Sequence, residues 1–405
     1  MGAWRTASVL GGAAEMLREA VLRDEKDFSA CSIFGMMSPS GKRVNGEPII
    51  RAMANMRERS NGLGGGFAAY GIYPQCPDLY CFHVMFDDHV ARKQTEEHLR
   101  RDFEVCDSGP IPTRPCDGVE NPPLLWRYFL LPRSTDDCDI GEEDRVVRVV
   151  MEINVKVDGA FVFSSGKDMG VFKGVGFPED IGRFFRLEEY EAYLWTGHGR
   201  FPTNTQGWWG GAHPFNILDW SVVHNGEISS YGINRRFLEM YGYSCTLHTD
   251  TEVVAYAVDL LLRRQGLGVE EMAAVFAPPL WSEIDRMEEG KRKLHAALRQ
   301  VYGSLLLNGP FSVIISNRRQ MIGLTDRIRL RPLVVGSGRD FDYISSEEAP
   351  MRLLDDTVSE TWIPWGGEAV VFELKEEAVP ELTVPIEVFR SEVPLAARGT
   401  GRAEG

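Results

Sequence analysis

Five residues in this sequence have the types that hydrolysis of an amino-acid amide requires: Cys31, Arg200, Asn225, Gly226 and Asp250. An α-amino acid offers a carboxylate and an ammonium. An arginine fork grips the first through two hydrogen bonds, and an aspartate pairs with the second. A thiolate is a strong nucleophile. An Asn side-chain amide beside a Gly backbone N–H supplies two donors for a tetrahedral oxyanion, and glycine lets the backbone approach closely. Each residue also has an ordinary structural reading. Arginine after a strand is usually solvated or paired, Asn-Gly is usually a turn, a lone Cys in an apolar strand is usually a small buried hydrophobe, and Asp250 in Thr249-Asp250-Thr251-Glu252 fits a plain helix N-cap. Taken singly, the residues leave both readings open.

The elements that must position them follow from pattern. Cys31 to Met37 reads as a buried strand, and 48–59 as a helix with Ile49, Ile50, Met53 and Met56 on one face. Glycine-rich NGLGGGFAAYGIY runs into a strand. Leu79–Phe86 is a strand, Asp88–Asp102 a charged helix, 106–123 a Pro/Asp/Gly-rich loop, Leu124–Leu131 a strand, and 144–157 is apolar and β-branched. Residues 75–160 therefore read as an α/β insertion. Short strands and turns fill 161–250, helices are expected at 250–264 and 281–301, and strands at 311–316, 321–324, 333–335, 343–345 and 369–373. From 376 the chain is acidic and proline-bearing, expected to be a disordered tail. Strands at both ends with helices between them imply a layered α+β fold.

Composition narrows the function classes. Of 405 residues 43% are hydrophobic and 25% charged, with a net charge of −15. Such a surface repels nucleic acid and anionic membranes, so neither is expected as a partner. No apolar run is long enough to span a bilayer. Charged residues from Arg23 to Asp27 break the apolar core a signal peptide would need before Ala30, so a cytoplasmic protein is expected. The seven cysteines (31, 76, 81, 106, 116, 138, 245) include no C-x-x-C pair, and no metal site is expected on this chain.

The stretches CSIFG at 31, the glycines of 62–71, KDMGVFKGV at 167, GHGRFPTNT at 197, AHPF at 212, HNGEIS at 224, TDTE at 249, TDRIRLRPLVVG at 325, SSEEA at 345 and GGEAVVFEL at 366 occur together and in order. In this the sequence resembles the class II glutamine amidotransferases, a branch of the N-terminal-nucleophile hydrolases, and within them the glutaminase part of glutamate synthase. The resemblance covers most of 31–375 apart from the insertion. It implies a four-layer αββα sandwich. It also implies Cys31 as nucleophile, Arg200 and neighbouring Thr203 at the glutamine carboxylate, Asn225 and Gly226 as the oxyanion hole, and Asp250 at the α-ammonium. His198 and His224 lie in matching motifs and are expected to be structural. One departure stands at Ser32, where most members have glycine.

The resemblance further implies that residues 1–30 are a propeptide. Cleavage at Ala30–Cys31 would free an α-amino group, whose ordinary pKa of about 7.7–8.0 suits a general base. The expected reaction is hydrolysis of L-glutamine through a Cys31 thioester, with ammonia passed to a separate synthase subunit. That subunit, in a glutamate synthase, would carry FMN and iron–sulfur clusters, while this chain would bind no cofactor. Alternatives are the corresponding subunit of N-methylglutamate synthase, a catalytically silent assembly subunit, or an amidase for another amide.

Overall fold

The computed structural model describes residues 31–133, 140–201 and 207–378. The expected propeptide 1–30, Thr203, Cys138 and all of the expected tail after residue 378 lie outside the described residues.

Two antiparallel sheets stack face to face. The first contains, in spatial order, Glu360–Trp362, Val334–Ser337, Asp342–Ser345, Ser32–Met37, Leu194–Gly199, Gly65–Tyr70 and Met169–Gly174. The second contains Phe215–Ile217, Trp220–Gly226, Phe311–Ser316, Gln320–Thr325 and Val370–Glu373. The central strands are covered on both faces, which is why they read as continuous apolar runs rather than alternating ones. The sheets approach closely at Gly35, where a Cβ would stand 2.6 Å from Met321 Sδ. Tyr70 crosses the interface to donate to Ser316 O at 2.8 Å and bonds Ser221 Oγ at 2.6 Å.

Helices close the two outer faces. Glu47–Asn55, with Pro48 in its first turn, buries Ile49, Ile50, Ala52 and Met53 against the seven-stranded sheet, beside the short helix Pro178–Phe184. On the other side Asp250–Val258 lies against the five-stranded sheet and continues as a π-helical stretch to Arg264. The fold is the four-layer αββα sandwich.

The insertion is a four-stranded sheet, Phe103–Pro110, Leu124–Pro132, Tyr80–Phe86 and Ala160–Ser164, with helices His89–Asp102 and Glu142–Lys156. Its apolar core is continuous with the core under Asp250–Val258. Several local expectations change. Residues 106–110 belong to an edge strand rather than a loop. An edge position tolerates Pro110 and polar side chains, and the ladder slips between Val105 and Asp107. The β-branched stretch 144–157 is helical, because Val146, Val149, Val150 and Ile153 fall on one buried helical face and packing outweighs propensity. Within 161–250 the chain also forms helices at Pro178–Phe184 and Tyr231–Glu239, and Val269–Phe276 adds another. These are short, and the first two hold a single apolar turn among glycines and polar residues, so periodicity is weak there.

Candidate active site

Cys31 immediately precedes the central strand Ser32–Met37. That strand pairs with Leu194–Gly199 in a register that sets Ser32 opposite Gly199. Continuing one residue along each strand places Cys31 opposite Arg200 at the strand ends. There the Phe201 N–H donates to Cys31 Sγ at 3.4 Å. Burial pushes the thiol pKa up. The Phe201 N–H, Arg200 and Arg331 oppose that rise, and Asp250 adds to it.

Ser32 occupies a position where the resemblance led us to expect glycine. It is fully buried, and its hydroxyl faces Gly199 so closely that a Cβ there would lie 2.5 Å from Ser32 Oγ. The missing side chain of the cross-strand partner makes the room that Ser32 needs.

Arg200 is fixed by its backbone. Its N–H donates to Gly64 O at 2.9 Å, and its carbonyl accepts from Ser60 Oγ at 3.1 Å. Gly64 belongs to the glycine-rich stretch, and a Cβ at that position would press to 3.1 Å from Arg200 Cδ. The side chain is buried, which lowers the guanidinium pKa, while Cys31 and Asp250 act to raise it.

Asn225 and Gly226 end the strand Trp220–Gly226, in register with Ser312 and Phe311. The pair is therefore a strand terminus and not a hairpin turn. Gly226 has φ +146°, and a Cβ would stand 2.0 Å from Pro310 O, so only glycine fits. Asn225 is 0% exposed, yet neither Nδ2 nor Oδ1 has a hydrogen-bond partner. A buried amide in that state carries a desolvation cost of about 1–3 kcal/mol, which a ligand bonding to it would relieve. The end of this strand is tied to the Cys31 sheet through His198, whose Nε2 meets His224 O at 3.0 Å.

The helix Asp250–Val258 is capped by Thr249, whose Oγ1 accepts from Glu252 N at 3.3 Å, so Asp250 is not the cap. Its carboxylate accepts from Ile228 N at 3.0 Å and Thr251 Oγ1 at 3.1 Å, and Oδ1 lies 3.6 Å from His224 Nδ1. Burial pulls its pKa upward, but His224 and these hydrogen bonds outweigh burial and leave it below the usual carboxylate range. The side chain keeps 23% of its surface exposed, enough to meet a cation. Behind it His213 stacks on His198 at 4.0 Å and reaches Thr251 Oγ1 at 3.3 Å. Burial pushes His198 down to about 3 and His213 well below its ordinary value, so both are neutral supports near neutral pH.

Cys31, Arg200, Asn225, Gly226 and Asp250 are thus gathered at one end of the sandwich, while Thr203 lies outside the described residues. Sequence reasoning missed two arginines. Arg59 donates from Nε to Cys31 O at 3.4 Å and pairs with Glu347 at 2.8 Å. Arg331 acts electrostatically on the thiol. Its signal was present in TDRIRLRPLVVG, but three arginines stand there and spacing alone does not separate them. Among the described residues no group of three or more His, Cys, Asp or Glu side chains could hold a metal ion, and no helix is long and apolar enough to cross a membrane.

The family description "Glutamine amidotransferases class-II" matches residues 142–384. Arg200, Asn225, Gly226 and Asp250 fall inside that span, and Cys31 is brought to them by strand pairing from outside it. An uncharacterized protein of Archaeoglobus fulgidus is 54% identical over 364 residues, 89% of this chain and 96% of the other. A putative glutamine amidotransferase of Methanothermobacter thermautotrophicus is 28% identical, over 85% of this chain and 100% of the other. Among solved structures, the glutamine phosphoribosylpyrophosphate amidotransferase of B. subtilis is 14% identical with a TM-score of 0.42; the match covers 85% of this chain and 47% of that one.

Proposed function

The chain belongs to the class II glutamine amidotransferases, and from that premise we propose that it is a glutaminase subunit, hydrolysing L-glutamine to glutamate and ammonia through a thioester on Cys31. The observation that carries the reading is Asn225, a fully buried amide with both polar atoms unpartnered, next to a glycine whose backbone no other residue could adopt. Two donors at that point match an oxyanion better than they serve the fold.

In this reading Arg200 holds the α-carboxylate, a task the family resemblance also assigns to Thr203, and Asp250 holds the α-ammonium. Cleavage of the Ala30–Cys31 bond supplies the α-amino base. That amine takes the thiol proton, and the sulfur attacks the side-chain amide carbon. Asn225 and Gly226 hold the resulting oxyanion. The C–N bond then breaks, the ammonium proton goes to the leaving nitrogen, and ammonia departs. A water molecule, deprotonated by the same amine, attacks the thioester carbon, and glutamate leaves as the thiol re-forms. A base is needed because burial raises the thiol pKa further above its ordinary value. The ammonia is passed to a separate synthase subunit bearing FMN and iron–sulfur clusters, most simply that of a glutamate synthase.

The test joins an intact-mass measurement to an assay of glutamate and ammonia release. The active protein should begin at Cys31. Full activity from protein that retains Met1 would overturn the processing step and the base with it.

A further inference from the structure

Arg331 is a cation with no task in the mechanism above. Its Nε is shielded from solvent and has no hydrogen-bond partner among the described residues. The other charged residues around it are engaged: Arg59 pairs with Glu347, Arg329 lies over the Trp365 ring at 5.4 Å, and Arg327 donates to Pro278 O at 3.5 Å.

The fold builds its position. Val334 pairs with Ser345 and Ser345 with Phe34, both antiparallel, so the Val334 and Phe34 strands run parallel with one strand between them. Strands two apart stand about 10 Å from one another, and Arg331 and Cys31 each precede that level by three residues, at the same ends of those strands. A gap of that order is within reach of most of the length of an arginine side chain. The loop is held rigidly by Asp326, which accepts from Ile328 N at 3.1 Å, Leu330 N at 2.9 Å and Phe311 N at 3.3 Å. Phe311 is the cross-strand partner of Gly226, so one carboxylate registers the Arg331 loop against the expected oxyanion donor.

We propose that Arg331 is a positioning cation for the nucleophile, favouring the anionic sulfur of Cys31 and leaving Arg200 for the substrate carboxylate. The proposal rests on the assignment of Cys31 as nucleophile, and its test does not need glutamine turnover. Besides the α-amino group that cleavage would free, which is held constant by comparing preparations with one N-terminus, the charged groups acting at this sulfur are Arg200, Arg331 and Asp250, with Arg59 at the Cys31 carbonyl neutralised by Glu347. Removing one positive charge from that set weakens the thiolate, whereas a merely structural arginine would leave the sulfur's titration unmoved.

The experiment follows iodoacetamide alkylation of Cys31, read by mass spectrometry on its own peptide, across the neutral to alkaline range, in preparations with the same N-terminus. Arg331→Met should slow alkylation near neutral pH by about three- to tenfold and move the profile to higher pH. Arg331→Lys should recover most of the rate, and Arg329→Gln, on the same loop but facing Trp365, should match the unmodified protein. An unchanged profile in Arg331→Met overturns the proposal. So does equal slowing by Arg329→Gln, which would show a diffuse charge effect. If Arg331→Met fails to fold, Arg331→Gln is read against Arg331→Lys by the same criterion. Loss of Arg331 dependence with glutaminase intact would sink this inference alone. Glutamine hydrolysis by Cys31→Ala would sink the functional reading instead.

Discussion

Asn225 and His83 are equally inaccessible, both 0% exposed, but they sit in opposite circumstances. His83 lies in the insertion sheet where it meets the sandwich. Its Nδ1 meets Val171 O at 2.8 Å and its Nε2 meets the Tyr73 hydroxyl at 3.1 Å. Both ring nitrogens are used, and the group serves the fold. Asn225, at the end of the five-stranded sheet, uses neither of its side-chain atoms. At these two positions equal burial goes with opposite hydrogen-bonding: His83 is spent on cohesion, and Asn225 is open to a ligand. Burial alone does not separate structure from function, and the hydrogen bonds each group makes supply the contrast between these two residues.

The sharpest way to break this comparison is to truncate both residues. Asn225→Ala should lower kcat for glutamine hydrolysis by about 10²–10³-fold and leave resistance to urea unchanged or slightly raised, because it removes no bond within the fold and lifts the cost of an unpartnered buried amide. His83→Ala should do the reverse, costing about 2–4 kcal/mol of stability while the folded fraction keeps its kcat. A large stability loss in the first variant, or a catalytic loss in the second, would erase the distinction. Asp250→Asn comes next. It removes the charge proposed for the α-ammonium but keeps the shape, so KM for glutamine should rise by on the order of tenfold or more, with a smaller change in kcat.

Acid unfolding sharpens the same contrast more gently. Burial pushes His83 down from 6.5 to about 3. The unfolded chain therefore binds that proton first. The stability contribution is complete above about pH 6.5 and is lost as pH falls toward 3. His198, lowered in the same way to about 3, behaves alike. Asp168 and Glu252, which burial holds up at about 6 and about 7, act in the opposite sense over part of the same range. The histidine contribution is isolated as a difference: His83→Gln should lose less stability than the unmodified protein between pH 6.5 and 4, measured by urea unfolding at each pH. The smallest effect is expected at Ser32. Because Gly199 already makes room for its hydroxyl, Ser32→Gly should change kcat/KM by no more than about threefold.

The candidate site was legible through the ordered set CSIFG, GHGRFP, HNGE and TDTE and the family resemblance it carries, since each residue alone leaves an ordinary structural reading open. The sandwich strands were legible as continuous apolar runs. What the sequence hid depends on distant partners. Nothing local to Ser32 reveals that Gly199 stands across from it. Nothing local to Arg331 tells that its strand runs parallel to, and level with, the strand that Cys31 precedes. The helix Glu142–Lys156 was hidden for another reason, since its valines favour strands locally and only their spacing against the insertion core makes the helix the better answer.

The central claim is that Cys31 carries the glutamyl group. Purified protein quenched in acid during turnover of L-glutamine, and mapped by peptide mass spectrometry, tests it most directly. The account predicts a glutamyl adduct on Cys31 alone, lost on treatment with hydroxylamine and absent from Cys31→Ala, which also releases no ammonia. An adduct on another residue, or continued glutamine hydrolysis by Cys31→Ala, would contradict it.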